Sequence, residues 1–531
     1  MRMTNKIMQN NSLYNINNNK IMQDKLSTMM STQKKIAKPS DDPVVAIRAL
    51  RLRTSVSELT QYYEKNAPDA ESWLDVTTKA LENTIAEVLT QMNKTANKAA
   101  NKEYGSEDLA VFVEQLKSLR NEFYSTGNLD YAGRYVFTGY RTDTPLTFMK
   151  DVEEPGGSPS YEITEQVTIG DFDKVNYTYS AGLEGINKNN YADHLGDNID
   201  ENKIENGDIH RLRLSYDALK DGAVPQIKYK DKNGVEQPPL VIAPSVSVNA
   251  NPDPYKQVLD DPNLAVFVPE TGEILFGENA YNNLAGNTTT QTEFQVTYTK
   301  DSWKNGDLRP EHYFECKKAV VDENGQPVMN DDGTPKVIDY NPEYLTEGNI
   351  NKQAIEYDVG YNQKIQVNTT ADKVFVHGLD RDIDDLERVL TELTNMDATM
   401  TDLDLVLKGL DESDPNSNYD VVKKQYDAAK KSYDYLRENI HTMFEGTITK
   451  TQEYLDMTNL AVTDNGTRSQ RLELISNRLM DQRTNFKTLQ SENEDIDIAE
   501  VIIQLTSTEL TYNSALMATG KIMQTSLMNY I

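Results

Sequence analysis

Residues 498–523 read IAEVIIQLTSTELTYNSALMATGKIM, and a set of mostly large side chains recurs there at alternating steps of four and three residues. The repeating positions are Ile498, Ile502, Leu505, Glu509, Tyr512, Leu516, Thr519 and Met523. Seven residues make nearly two helical turns, so this spacing places these side chains along one side of a helix. The pattern predicts a coiled-coil seam, extended by Leu527, that runs almost to Ile531.

A coiled-coil seam needs a partner helix, and the amino-terminal end is the obvious candidate. There Met22, Leu26, Met29 and Ile36 fall at steps of four, three and seven residues. We therefore expect residues 1–42 and 491–531 to pair as a terminal coiled-coil layer. A buried leucine contributes roughly 1.5–3 kcal/mol, whereas ordering each backbone residue costs about 1–2 kcal/mol. One such helix is not stable alone, so we expect both ends to become ordered when copies of the chain assemble.

A helix stop and a new helix start lie next to each other just after the amino-terminal stripe. Pro39 disfavours a helical conformation at Lys38, the residues Ser40 to Asp42 can cap a helix, and Pro43 suits its first turn. Beyond this point, heptad spacing in residues 43–144 and again in residues 373–490 predicts the two halves of a helical bundle.

Residues 145–372 have a different character. Short β-prone runs such as Ala265–Val268 and Phe294–Thr299 alternate with turn formers, and Asn233-Gly234 is typical of a hairpin turn. Helical, stranded and again helical segments in this order indicate a domain inserted into a bundle. The predicted fold is mainly α with a β-rich insert, and its N- and C-terminal helices pair as a coiled coil or helical bundle.

Composition excludes some classes of partner. The formal net charge is −30, which would repel nucleic-acid phosphates. No apolar run is long enough to insert into a membrane, and the Asn-rich start has no apolar signal-peptide region. If the protein is secreted, we expect it to leave without a cleaved signal peptide. Residues 1–66 carry 11 Lys/Arg against 5 Asp/Glu, which fits a solvated helix face or a strip for an acidic partner or export component.

No residue pattern predicts catalysis. The five histidines are scattered, and none begins a His-Glu-x-x-His motif. Cys316 is the one cysteine, so neither a disulfide within the chain nor a thiolate zinc cluster can form. We expect no enzymatic activity, no metal and no cofactor.

Several motifs resemble the terminal signatures of flagellins and their hook-associated relatives. At the amino end they are Pro39, Ser40, Asp41, Asp42 and Pro43; towards the carboxyl end they are Arg468, Asp495, Asp497, Ala499 and Glu500. Residues 133–140, GRYVFTGY, and the ending MQTSLMNYI resemble the hook–filament junction members of the family more than flagellin. The resemblance covers residues 1–150 and 440–531.

This resemblance implies a structural protein of the bacterial flagellum that serves motility. It would act as a junction adaptor connecting the hook, through hook-associated protein 1, to the flagellin filament, with copies of itself forming a ring. An export chaperone and the flagellar type III export apparatus would deliver it unfolded to an extracellular position at the hook–filament junction.

Two alternatives remain open. The chain could be a divergent flagellin that forms the filament itself, or residues 145–372 could carry an adhesin or an enzyme. Within residues 491–500, a polar cluster that sets the register at a subunit interface is favoured over a functional acidic site.

Overall fold

The computed structural model describes residues 5–151, 160–220, 222–244, 246–322, 328–330, 333–345, 353–412 and 417–528. The helices within these ranges are α1 (Asn5–Thr32), α2 (Pro43–Gln61), α3 (Ala67–Ala80), α4 (Ala86–Ala99), α5 (Ser106–Thr126), α6 (Pro254–Asp260), α7 (Glu278–Asn287), α8 (His377–Gly409), α9 (Tyr419–Glu494) and α10 (Ile498–Met528). Helices therefore occupy both ends of the chain, as the heptad spacing predicts.

The strands lie between α5 and α8. They are β1 (Asp130–Tyr131), β2 (Arg134–Tyr135), β3 (Tyr161–Thr168), β4 (Phe172–Tyr179), β5 (Glu205–Arg213), β6 (Gln226–Tyr229), β7 (Ala265–Val268), β8 (Glu273–Phe276), β9 (Glu293–Lys300), β10 (Glu315–Ala319), β11 (Val337–Tyr340), β12 (Glu356–Gly360) and β13 (Gln363–Gln366). One sheet has the order β11-β10-β3-β9-β6 and another has the order β4-β5-β8-β7, while β1-β2 and β12-β13 are two-stranded. The predicted fold class, mainly α with a β-rich central region, is confirmed.

Two compact units divide the chain. The terminal unit contains residues 1–72, 356–365 and 469–531, and the central unit contains residues 73–355 and 366–468. The hairpin of β12 and β13 lies within the predicted insert, yet residues 356–365 belong to the terminal unit. The proposed five-segment division at residues 42, 144, 372 and 490 stays a prediction.

The helical path that begins with α2 continues past Pro68. Proline has no N–H to donate to the carbonyl four residues earlier, so an ordinary helical turn loses a hydrogen bond there. The chain instead takes a wider π-helical turn at Tyr62–Asn66, in which the Ala67 N–H donates to the Tyr62 carbonyl. The helical path continues directly into α3.

The central unit has a shared core between its two larger sheets. Tyr161 and Ile163 on β3 and Phe294 on β9 pack in one buried cluster with Leu212 on β5 and Phe276 on β8. A smaller cluster, which includes Val266, Leu275 and Tyr255, joins α6 to the second sheet. Strands β7 and β8 are buried along their whole length, as is usual for strands covered on both faces.

Buried ion pairs join β5 to α8 inside this unit. Arg211 contacts Glu273 at 2.5 Å and Asp385 at 2.7 Å, and Arg213 contacts Asp385 at 2.8 Å and Asp382 at 2.6 Å. The two guanidinium groups hold the pKa of Asp385 well below its usual value against the opposing effect of burial. Removing one partner from such a cluster leaves an uncompensated charge in the interior.

We predict that Arg211→Met lowers the free energy of unfolding by about 3–5 kcal/mol, because Glu273 and Asp385 lose a buried cation. The urea midpoint, followed by the fluorescence of Trp73 and Trp303, measures the change, since both residues are buried in the central unit. Lys317→Met is the matched control, because the Lys317–Glu162 pair is exposed and contributes about 0–1 kcal/mol. Equal midpoints for the two variants would contradict the role given to the network.

Candidate assembly surface

The two chain ends meet in the terminal unit at a short crossover, formed by residues 33–35 and 494–496. The Lys35 N–H donates to the Glu494 carbonyl at 2.7 Å, and the Ile496 N–H donates to the Gln33 carbonyl at 3.2 Å. Lys34 and Asp495 are antiparallel partners between these two bonds. The links between α1 and α2 and between α9 and α10 therefore lie side by side.

Glu494 is the most buried charge of the crossover, with 3% of its side chain exposed. Arg53 on α2 binds both of its carboxylate oxygens, at 2.8 and 2.6 Å, and Lys34 lies 3.5 Å away. The Arg53 hydrogen bonds lower the pKa of Glu494, whereas its burial raises it less. Lys34 also pairs with Asp495 and is the main cause of the lowered pKa of that carboxyl.

Other acidic motif residues cap helices. The Asp42 carboxylate accepts the N–H groups of Val44 and Val45 at the start of α2, where Pro43 is the first helical residue. Asp497 accepts the N–H groups of Ala499 and Glu500 at the start of α10.

The preceding turn, with Pro39 and Ser40, is held by Asp41. Its carboxylate accepts the N–H groups of Ala37 and Lys38, and the Lys38 bond is the main reason why the pKa of Asp41 is lowered. These motif residues thus lie beside the crossover, in the links that join α1 to α2 and α9 to α10.

Arg468 lies elsewhere, in the central unit. Its guanidinium donates to the Asn368 carbonyl at 2.8 Å and pairs with Asp464 one helical turn earlier at 2.5 Å. It belongs to the packing of α9 on the segment that follows β13.

Helices α1 and α10 pack along each other from the crossover, and Gln23 donates to Glu509 at 3.3 Å between them. The sheltered side of α1 contains Gln9, Ser12, Ile16, Asn19, Gln23 and Leu26. The sheltered side of α10 contains Val501, Leu505, Thr508, Tyr512, Ala515 and Thr519. We name these two sets the inner seam. It follows a heptad spacing, but many of its side chains are small or polar.

The structure brings some of the predicted packing residues into the terminal unit's interior and leaves others outside. Leu26 is buried, and Met29, Ile36, Leu505 and Tyr512 are half-buried. Met22, Ile498, Ile502 and Leu516 are each more than 40% exposed. Met523 and Leu527 lie in α10, but their side chains are not among those that the structure describes. The assembly role of these residues stays a prediction.

Val501, Thr508 and Ala515 were missed because they lie outside the stripe chosen from the sequence, and Thr508 and Ala515 are not large apolar residues. The signal is present in the sequence, since these residues share the four-and-three spacing with Leu505, Tyr512 and Thr519. Two overlapping heptad stripes thus lie on α10, and the inner seam uses the one that is less apolar.

Among the residues that the structure describes, no group of His, Cys, Asp and Glu side chains could hold a metal ion. Nor does any helix within the described ranges have the length and apolar character to cross a membrane.

Sequence comparisons relate this chain to flagellar proteins. The model of the bacterial flagellin N-terminal helical region matches residues 3–142. Flagellar hook-associated protein 3 of Escherichia coli K12 is 25% identical over 232 residues, which are 43% of this chain and 67% of that protein. The protein of the same name from Salmonella typhimurium is 25% identical over 206 residues, which are 38% of this chain and 63% of that protein.

Solved structures include hook-associated protein 3 of Legionella pneumophila, at 10% identity and a TM-score of 0.29, covering 83% of this chain and 97% of that one. The FlgL protein of Xanthomonas campestris has the same identity and TM-score and is covered over 99% of its length. TM-scores this low do not establish a shared fold, so the relationship rests on the sequence matches. They confirm the resemblance to hook-associated protein 3 and the flagellins, and they support a flagellar structural role.

We predict that Glu494→Gln loosens the crossover, because a neutral amide cannot replace the charge-assisted bond to Arg53. The loss is about 1.5 kcal/mol, so trypsin should cleave after Lys34 or Lys35 roughly tenfold faster. Glu492→Gln, which changes an exposed carboxylate on the same helix, should leave the rate unchanged. Equal rates for the two variants would show that Glu494 does not hold the crossover.

We predict that acid also loosens the crossover. The folded-state pKa values of Glu494 and Asp495 are lowered, so their stabilisation is present above the ordinary carboxyl pKa of about 4 and is lost as pH falls through the lowered values. Hydrogen exchange at the Lys35 and Ile496 amides, corrected for intrinsic rates, should accelerate below about pH 4. In Glu494→Gln this acceleration should shrink; an unchanged pH profile would contradict the assignment.

Proposed function

We propose that this chain is an adaptor of the bacterial flagellum that connects the hook, through hook-associated protein 1, to the flagellin filament. Several copies would form a ring at the extracellular hook–filament junction. The observation that carries the proposal is the exposure of large apolar side chains on both helices of the terminal pair. They include Ile7, Leu13, Tyr14, Ile21, Met22, Ile498, Ile502, Ile503, Leu510, Leu516 and Met517.

So many exposed apolar side chains on one helix pair are typical of a protein that assembles with other subunits, and not of one that stays a monomer in solution. Single exposed apolar residues are common on soluble proteins, whereas a continuous apolar surface marks an interaction site. Helix α2, in the same unit, adds further exposed apolar side chains, since Val44, Ile47 and Leu50 are each more than half exposed. The resemblance to hook-associated protein 3 and the flagellins indicates that the partners are neighbouring flagellar subunits.

The small number of large apolar side chains in the inner seam supports the same proposal. Of the residues that α1 contributes to it, Ile16 and Leu26 are the large apolar ones. A few such contacts do not offset the backbone entropy of two long helices, at about 1–2 kcal/mol per residue. Packing against other subunits supplies the additional burial, so the terminal pair becomes fully stable in the assembly.

The adaptor works by geometry and has no catalytic step. One face of the ring fits the hook-type neighbours, and the other presents a template for the first flagellin subunits. Transport precedes this step: the chain leaves the cell unfolded through the flagellar type III apparatus, with an export chaperone covering its carboxyl-terminal helices until then. The exposed apolar residues of α10 are a surface that such a chaperone would shield.

We predict that cells lacking this protein form hooks and release flagellin monomers into the medium, because flagellin is still exported but has nothing to build on. Immunoblotting of the culture supernatant and electron microscopy of the cells measure the outcome. The full chain should restore filaments, whereas a chain without residues 491–531 should not. If the deletion leaves intact hooks and no released flagellin, the protein is instead a flagellin.

A single band of immunogold label at the tip of the hook is the matching observation on intact flagella. Label along the whole filament would contradict the adaptor assignment, as would filaments that grow normally on cells carrying the truncated chain.

A further inference from the structure

Lys300, the last residue of β9, is a lysine with no exposed surface. Lysine side chains are rarely buried completely, because the ammonium group loses its hydration. The Lys300 Nζ lies 5.3 Å from the ring centre of Trp303 and 5.8 Å from that of Tyr216, and both of these residues are themselves buried. A primary amine is therefore held in the interior of the central unit, away from solvent.

Two carboxyl groups lie beside this amine. The Lys300 Nζ is 3.3 Å from Oδ1 of Asp217 and 3.9 Å from Oδ2 of Asp307. It also donates to the Asp217 backbone carbonyl at 2.6 Å. A side-chain amide bond needs a nucleophilic amine, an acyl carbon and a group that accepts a proton. These three side chains can supply all of them.

A tight turn brings Asp307 back to Lys300. The Asp307 N–H donates to the Lys304 carbonyl at 3.2 Å, and Oδ2 of Asp307 accepts the Lys304 N–H at 2.9 Å. Gly306 has a φ of 97°, which glycine adopts without strain. The Asp307 carbonyl also accepts the Phe148 N–H at 2.9 Å. The fold thus holds the amine and this carboxyl group close together before any reaction, which raises their effective concentration.

The two carboxyl groups differ in their surroundings. Burial is the main cause of the raised pKa of Asp307, and the neighbouring Asp217 charge raises it further. Burial also opposes the ionisation of Asp217, yet Lys300 and Lys304 lower its pKa to about 2. The Lys304 Nζ lies 2.8 Å from Oδ2 of Asp217. Asp307 is thus shifted towards the neutral acid, which an amine can attack, and Asp217 towards the carboxylate, which can accept a proton.

We propose that Lys300 and Asp307 form an amide bond between their side chains once the chain has folded, with Asp217 as the proton acceptor. The Asp217 carboxylate takes a proton from the Lys300 ammonium group, and the neutral amine attacks Cγ of the Asp307 carboxylic acid. Asp217 gives this proton to the leaving hydroxyl, which departs as water, and takes a second proton from the nitrogen. The Asp217 side chain is 22% exposed, so it can release that proton to solvent. One C–N bond replaces one C–O bond, and no oxidant is needed.

An amide bond at this place would remove a buried charge, which is costly in a protein interior. It would also close a covalent loop over residues 300–307 and so restrict the unfolded chain, as a disulfide does. With one cysteine the chain cannot form a disulfide within itself, whereas a side-chain amide needs no thiol. The bond forms within one copy, so it does not depend on the adaptor function.

The intact mass of the purified full-length chain tests the proposal. We expect a mass lower than that of the sequence by one water molecule, and a tryptic digest that contains a branched peptide joining Lys300 to Asp307. Asp217→Ala keeps both reacting residues but removes the proton acceptor, so it should have the full mass. The fluorescence of the buried Trp303 shows whether this variant has folded.

Lys256→Met is the matched control. Lys256 also lies between two carboxylates, Glu205 at 2.7 Å and Asp260 at 2.6 Å, but these are 46% and 57% exposed. This variant should therefore still lack one water molecule relative to its own sequence.

A wild-type chain with the full mass would overturn the proposed bond. So would a lost water that the digest locates elsewhere, for example in a cyclic imide at Asp332-Gly333. A branched peptide in which Lys300 is joined to Asp217, or a folded Asp217→Ala variant that still lacks the water, would overturn the roles given to the two carboxyl groups.

Discussion

A nearly buried carboxylate organises the terminal unit. Glu494 is sheltered from water, and an ionised carboxylate there needs cationic partners, which Arg53 and Lys34 supply. Arg53 belongs to α2, and Lys34 belongs to the link between α1 and α2. The point at which α10 leaves α9 is thereby held beside the point at which α1 leaves α2, and the antiparallel pairing of the two chain ends starts from that point.

The inner seam contains many small or polar side chains, which limits how much it stabilises this pairing. The crossover fixes the register through charge and two backbone bonds, while the seam itself adds modest apolar burial. The large apolar side chains lie mainly on the outer faces of α1 and α10. We therefore propose that the crossover provides specificity within the chain and that the outer faces provide affinity between chains. Under the proposed function, this arrangement would delay the ordering of both helices until assembly.

Local signals in the sequence predicted the helical ends well. Asp42 and Pro43 have the residue types that begin helices, and they do so here. The four-and-three spacing identified α10 as a seam helix, and Leu505 and Tyr512 do lie on its sheltered side. The sequence did not reveal which of two overlapping stripes faces α1, because the large apolar residues that mark a seam, such as Ile502 and Leu516, are left exposed here.

The central unit was less predictable for a different physical reason. Strand β10 lies between β11 and β3, which precedes it by about 150 residues, and no local pattern encodes such a pairing. Arg211 and Asp385 look like ordinary surface charges in the sequence, and their burial follows from the packing of β5 on α8.

We propose that the two chain ends match each other but reach full stability when other copies cover them. Segment-resolved hydrogen exchange of the full-length chain, first dilute and then assembled, tests it most directly. We expect weak protection of residues 5–32 and 498–528 in the dilute chain and strong protection after assembly, while α4 and β8 stay protected in both. Strong protection of both ends in the dilute chain would contradict it.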